Sequence, residues 1–234
     1  MAPSYGLKQE RVGTMEQGET ILDLAAALFD LGGINVGDFS PSPSTQHSPV
    51  YVNPRVLIGR PALLRLVGRL IDQEVRTAQA MRRPRIHPFE VVAGVPLGGL
   101  HLATAYALHA DVPLVYVRPG APAAPLEGSF IPGQVALIID DLITSGGSVL
   151  TTAARLEEAG LTVRDALVLI DREQGGAENL RARGITLTSL LTLTKLLTFG
   201  VETARLAPVW LERTQEYLRK ARPAPTGESN NGDR

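Results

Sequence analysis

Cysteine is missing from all 234 residues of this chain, which excludes disulfides and thiolate metal sites and fits a reducing compartment, the cytoplasm. A surplus of either charge is missing too. The formal net charge is −1, so no overall basic field gathers nucleic acid, and any anion has to be held locally. The opening stretch from Met1 to Gly18 mixes Lys, Glu, Gly and Ser without an apolar core, so neither a signal peptide nor a membrane span is expected there. No internal repeat is visible, and no basic or helix-turn-helix module precedes Ile21, which argues against a DNA-binding protein. What is present suffices for one sizeable core: 44% of the residues are hydrophobic. We expect a flexible tail over 1–19, one domain over 20–221 with a small hood inside 20–60, and a disordered polar tail over 222–234.

Apolar spacing predicts a helix over Ile21 to Phe29 closed by Gly32-Gly33, then a turn-rich stretch from Ser40 to Pro49 and a short strand at Val50-Tyr51-Val52. Leu63, Leu64, Val67, Leu70 and Ile71 recur at helical spacing within Ala62 to Ala80, and Met81 to Pro88 is a basic, proline-broken connection. Beyond it the pattern alternates. Strands are expected at Phe89 to Ala93, Pro113 to Val117, Gln134 to Ile139, Ala166 to Ile170 and Ile185 to Leu191; helices are expected at Leu100 to His109, Val149 to Ala159 and Glu202 to Ala221. Such alternation implies an α/β fold with a mostly parallel central sheet flanked by helices, and ligands then bind at the carboxyl ends of the strands.

Three loops fall at those carboxyl ends. The most telling follows Val135-Ala136-Leu137-Ile138-Ile139, where Asp140-Asp141 leads into Thr144-Ser145-Gly146-Gly147-Ser148 and a helix. A small, hydroxyl-rich loop of this kind aims several backbone N–H groups and hydroxyls at one anion, and the helix directs its positive end to the same place. Asp140 and Asp141 then stand where the hydroxyls of a ribose ester, or a magnesium ion bridging hydroxyl and phosphate, would lie. A second loop, Gly94-Val95-Pro96-Leu97-Gly98-Gly99, uses glycine to let backbone amides approach a diphosphate. The third, Asp171-Arg172-Glu173-Gln174-Gly175-Gly176, offers a guanidinium suited to bidentate recognition of a carboxylate, with Asp171 placed to orient it.

The strand with Asp140-Asp141 and Thr144 to Ser148 resembles the phosphoribosyl pyrophosphate (PRPP) signature of type I phosphoribosyltransferases. The chain as a whole, over roughly Ile21 to Leu197, resembles the orotate phosphoribosyltransferase family. That resemblance extends to Gly37-Asp38-Phe39, to Ser48-Pro49-Val50-Tyr51-Val52-Asn53 with Arg55, to Val95 through Gly99 with Leu102-Ala103-Thr104-Ala105, and to Ser189 through Thr194. Asp171 to Gly176 is its most family-specific run. The resemblance implies the type I phosphoribosyltransferase fold and transfer of phosphoribosyl from PRPP to orotate, giving orotidine 5′-monophosphate and pyrophosphate in pyrimidine biosynthesis. It further implies Mg2+ held through PRPP near Asp140 and Asp141 instead of by a cage of side chains, and a homodimer. By the same resemblance Asp140 and Asp141 hold the ribose hydroxyls, Thr144, Ser145, Gly146, Gly147 and Ser148 the monophosphate, and Val95, Pro96, Leu97, Gly98 and Gly99 flank the pyrophosphate. Arg172, Phe39 and Thr144 meet orotate, and Arg118 joins the catalytic set.

The chain departs from the family where positive charge should face the pyrophosphate. The segment Arg118-Pro119-Gly120-Ala121-Pro122-Ala123-Ala124-Pro125-Leu126-Glu127-Gly128 is short and carries neither lysine nor histidine, and its three prolines restrict the backbone. In the hood, Ser42-Pro43-Ser44-Thr45 stands where the family has a lysine. The lysines of this chain are Lys8, Lys195 and Lys220, none in a family catalytic position. Arg118 and magnesium, with His47 or Arg55 from the hood, are the remaining sources of compensation. Two readings follow: an orotate phosphoribosyltransferase or a relative using another base, favoured by the intact ligand loops, and a catalytically impaired PRPP- or nucleotide-binding regulator, favoured by the stripped segment.

Overall fold

The computed structural model describes residues 20–40, 47–119 and 126–221. The expected tails at 1–19 and 222–234, the hood stretch Ser42 to Thr45 and the loop segment 120–125 lie outside the described residues.

Helix α1 (Ile21–Asp30) starts where Thr20 supplies a capping box. Its Oγ accepts from the Leu22 amide at 3.2 Å, and the Asp23 carboxylate accepts from the Thr20 amide at 2.6 Å. Strands β1 (Ile34–Phe39) and β2 (Ser48–Val52) pair antiparallel as a separate two-stranded sheet, and a 3₁₀ turn over Pro54–Gly59 leads into helix α2 (Pro61–Ala80). The main sheet then builds up through β3 (Val91–Gly94), α3 (Gly98–Ala110), β4 (Leu114–Val117), β5 (Leu126–Glu127), β6 (Val135–Ile143), α4 (Gly147–Glu158), β7 (Thr162–Asp171), α5 (Gly176–Ala182) and β8 (Thr186–Thr192). Helices α6 (Leu193–Glu202) and α7 (Pro208–Ala221) close the described chain. The strand order is β5-β4-β3-β6-β7-β8, parallel except for the edge strand β5.

Both faces of this sheet are covered, and the strands alternate accordingly. Val92, Leu137, Ile139, Leu167 and Leu169 enter one core with α1, α2, α3, α6 and α7; Val91, Ala93, Ile138, Ala166 and Val168 enter the other with α4 and α5. Continuous apolar strands are what two covered faces require, since every side chain along the strand then meets a core.

Three expectations need correction. Strand β6 continues through both aspartates to Ile143, because Leu142 and Ile143 keep pairing with Ile170 and Asp171 of β7. The expected final helix from Glu202 starts later, at Pro208, and Glu202 itself ends α6. Ala204 takes a positive φ of 56°, Arg205 and Leu206 return their amides to the Gly200 carbonyl at 2.8 and 3.0 Å, and the chain restarts at Pro208, which lacks the amide that an unbroken helix would need. Strands β1 and β5 and helices α5 and α6 had no expected counterpart. In β1 the Gly37-Asp38 pair reads locally as a turn, but pairing with β2 across an irregular register holds it extended. Among the described residues no helix is long and apolar enough to cross a membrane.

Candidate active site

Parallel strands β3, β6 and β7 deliver their loops to one edge, and glycines let those loops nest on one another. A Cβ at Gly98 would collide with the Asp141 carboxylate; one at Gly99 would lie 2.5 Å from the Ile139 carbonyl and 2.6 Å from Asp140 Cα. The 95–99 loop therefore sits directly on the two aspartates. It is anchored by the Val95 amide donating to Ile139 O at 3.0 Å and the Leu100 amide donating to Val95 O at 3.0 Å, and its Pro96–Leu97 peptide is cis. Gly146, at a φ of 87°, precedes α4, which begins at Gly147, two residues before its expected start. Helix α5 braces this loop: Asn179 Nδ2 donates to Ser145 O at 2.9 Å, and a Cβ at Gly176 would lie 2.6 Å from Thr144 O.

Asp140 and Asp141 are 5% and 7% exposed. The Asp141 amide donates to Asp140 Oδ1 at 2.8 Å. Burial, and then the neighbouring Asp141 charge, push the Asp140 carboxyl well above the usual carboxylate range. Across from them the hood contributes Arg55, whose Nε lies 3.3 Å from Asp141 Oδ2. Together these groups enclose a cavity of about 420 Å³ lined by Tyr51, Asn53, Arg55, Val95 to Gly98, Asp140, Asp141, Thr144, Ser148 and Arg172. Val95, Pro96, Thr144 and Ser148 also border an adjoining groove of about 620 Å³, which adds Ser145, Gly147 and Arg118.

Arg172 is 3% exposed and faces the hood. Its Nη2 donates to Ser48 Oγ at 2.8 Å and to Val50 O at 3.3 Å, while Nε is buried without a partner. Burial pulls this guanidinium below the ordinary arginine range, and nearby Tyr217 opposes the shift. A buried cation with one N–H lacking a partner is a donor suited to an anionic group. The rest of its loop is tied down: Asp171 accepts from the Glu173 amide at 2.7 Å, Glu173 accepts from the Thr194 amide at 2.8 Å, and Gln174 Nε2 donates to Tyr217 Oη at 2.9 Å.

The structure thus brings together Asp140, Asp141, Thr144, Ser148, Val95 to Gly98 and Arg172. Gly99 supports the loop from beneath, and Gly146 turns the chain into α4. Phe39 stands elsewhere: its ring packs at 5.7 Å against Tyr51, and Tyr51 is the aromatic that lines the cavity. Arg118 stands in the adjoining groove, its Nε 2.9 Å from Glu127 Oε1, which ties β4 to β5. His47 is exposed on the hood beside Asp38. Ser48, Tyr51 and Asn53 belong to the site although the expected set had omitted them. All three lie in the Ser48 to Asn53 run that carries the family resemblance, and Ser48 meets Arg172 across 124 residues of sequence.

Comparisons with known proteins agree with this geometry. The sequence profile of the phosphoribosyl transferase domain matches residues 58–182. A uridine 5′-monophosphate synthase of Bos taurus is 35% identical over 201 residues, 84% of this chain and 40% of that protein. An orotate phosphoribosyltransferase of Chlamydia caviae is 37% identical over 175 residues, 72% of this chain and 80% of its own length. The solved structure of Leishmania donovani UMP synthase superposes with a TM-score of 0.77 at 30% identity, over 86% of this chain and 43% of that one. The chain spans less than half the length of these two synthases and most of the chlamydial enzyme. With the carboxylate pair, the glycine loops and the buried arginine meeting at one sheet edge, this chain belongs to the phosphoribosyl transferase domain family, among the orotate phosphoribosyltransferases.

Proposed function

We propose that this protein transfers the phosphoribosyl group of PRPP to a ring nitrogen of orotate, giving orotidine 5′-monophosphate and pyrophosphate. The observation that carries the reading is one cavity holding a carboxylate pair for a sugar, a hydroxyl-rich loop at a helix N-terminus for a phosphate, and a buried arginine with an open N–H for a carboxylated base. Asp140 and Asp141 bind the ribose hydroxyls; Thr144 to Ser148 bind the 5′-phosphate; Val95 to Gly99 flank the diphosphate; Arg172 and Tyr51 meet orotate. The orotate nitrogen attacks the anomeric carbon as the bond from that carbon to the diphosphate oxygen breaks, and the proton on that nitrogen passes to the departing diphosphate or to water, so the protein need not supply one. Its work is to align two anions and to meet the charge that the diphosphate gains.

A magnesium ion fits the residues present. Asp140 and Asp141 place two buried carboxylates beside the position where such an ion would be held by the oxygens of PRPP. When bound there it neutralises diphosphate charge. We further propose that residues 20–221 act as one domain, that the protein works as a homodimer in the cytoplasm, and that Arg118 approaches the phosphate side from the adjoining groove.

The test is to mix protein, PRPP, Mg2+ and orotate and to follow orotate absorbance together with pyrophosphate release. Turnover requiring both substrates supports the proposal. PRPP binding without turnover on orotate overturns it in favour of another base or of a regulator, the reading that the lysine-free segment from Arg118 to Gly128 favours.

A further inference from the structure

A diphosphate leaving group needs cations within reach, and this active site has few. The segment from Arg118 to Gly128 carries no lysine or histidine, and Arg118 Nε is engaged by Glu127 at 2.9 Å. Among the described residues lining the cavity, the cations are Arg55 and Arg172. Arg172 is buried, with Nη2 on Ser48 and Val50. Arg55 is the opposite case: its side chain is 67% exposed and its ion pair with Asp141 is one contact at 3.3 Å.

The backbone under Arg55 is nevertheless fixed. Asn53 Oδ1 accepts from the Arg55 amide at 3.2 Å at the head of the 3₁₀ turn, and Pro54 and Leu57 of that turn are buried. An exposed guanidinium on a fixed stem lines the same cavity that Pro96, Leu97 and Gly98 border. The Arg55 end of this pair is exposed while the Asp141 side chain is 10% exposed, so the guanidinium can leave once sugar hydroxyls take over the buried carboxylate. A guanidinium also grips phosphate oxygens with two parallel hydrogen bonds, which a carboxylate held through Nε at 3.3 Å does not fully use.

We propose that Arg55 is the diphosphate-side cation of this active site: it rests on Asp141 in the free protein and moves to the diphosphate when the ribose hydroxyls take Asp141. The inference rests on the function proposed above and assigns to the hood the positive charge that the β4–β5 connection does not supply. One carboxylate thereby links the two events. Sugar binding frees the cation that the leaving group requires.

Calorimetry with PRPP and Mg2+, and separately with orotidine 5′-monophosphate, which has no diphosphate, tests this on the full chain. Arg55→Gln should lower kcat/KM for PRPP about 100-fold and weaken PRPP binding, with orotidine 5′-monophosphate affinity kept within about twofold and Arg55→Lys recovering part of the loss. Equal weakening of both ligands makes Arg55 a structural residue and overturns the inference, as does an Arg55→Gln protein that matches wild type. Wild-type protein that does not bind PRPP overturns the functional reading itself, and the inference with it.

Discussion

The floor of the cavity, residues 94–99 and 140–148, and its roof in the hood, residues 48–59, hold their side chains in different ways. In the floor the positions of Asp140 and Asp141 follow from backbone. They lie where β6 pairs with β7 on one side and meets the loop after β3 on the other, and glycines press that loop against them so closely that no side chain fits between. In the roof, Arg55 is linked to the floor by one side-chain contact, to Asp141, and Ser48 and Val50 meet Arg172 of the loop after β7. The floor is therefore rigid and intolerant of added volume, while the roof can exchange partners. A site that must grip a ribose phosphate and then release a diphosphate uses both properties.

The largest effect expected from breaking this contrast is in the floor. Gly99→Ala forces a methyl against Ile139 O and Asp140 Cα, so the loop or the strand has to move, and PRPP affinity should fall by at least about 100-fold in calorimetry. A loss smaller than tenfold would mean that the floor is not rigid. Next comes the boundary between the regions. Arg172→Ala should abolish orotate binding while PRPP affinity stays within about threefold, whereas Asp141→Asn should weaken PRPP in magnesium; equal loss of both ligands in the Arg172 variant would erase the division of roles.

A smaller effect is expected in the roof. Ser48→Ala removes the 2.8 Å acceptor of Arg172 Nη2 and leaves a second N–H of a buried cation open, at about 2 kcal/mol of stability, with a raised KM for orotate and an unchanged KM for PRPP. Chemical denaturation and steady-state kinetics check the two halves of that statement.

The smallest effect concerns pH. Because burial and the Asp141 charge raise the folded-state pKa of Asp140, the folded protein binds the proton more tightly than the unfolded chain does. Wild-type stability conferred by this group is thus complete below the unfolded carboxylate pKa, about 4, and is lost as pH rises toward the folded value. Asp140→Asn, which keeps an oxygen for the Asp141 amide, should raise the melting temperature of the ligand-free protein by about 2–4 °C at pH 8 and by nothing at pH 4. A rise that is equal at both pH values would show that charge is not its cause.

Much of the floor was legible in the chain. Its aspartates, hydroxyls and glycines are contiguous, and a parallel sheet brings successive loops to one edge whatever the details of packing. Less of the roof was legible. Arg55 lies 86 residues from Asp141, and no local pattern marks it as facing that carboxylate. Phe39 and Tyr51 are equally plausible as base-facing aromatics when read singly, and the β1–β2 pairing puts Tyr51 on the cavity with Phe39 against it. The break between α6 and α7 was signalled by Pro208, yet the apolar and charged spacing on either side reads through it.

Sequence by itself determined the alternation of strands and helices, the two covered faces of the sheet and the contiguous loops that approach phosphate and sugar, because these depend on local periodicity, on glycine's freedom and on groups adjacent in the chain. Tertiary structure alone decided which cation faces the carboxylate pair, which aromatic meets the cavity and which N–H of Arg172 stays open. Those outcomes depend on how the hood settles over the sheet, a matter of contacts between residues far apart in sequence, and such contacts leave no periodic trace in the chain.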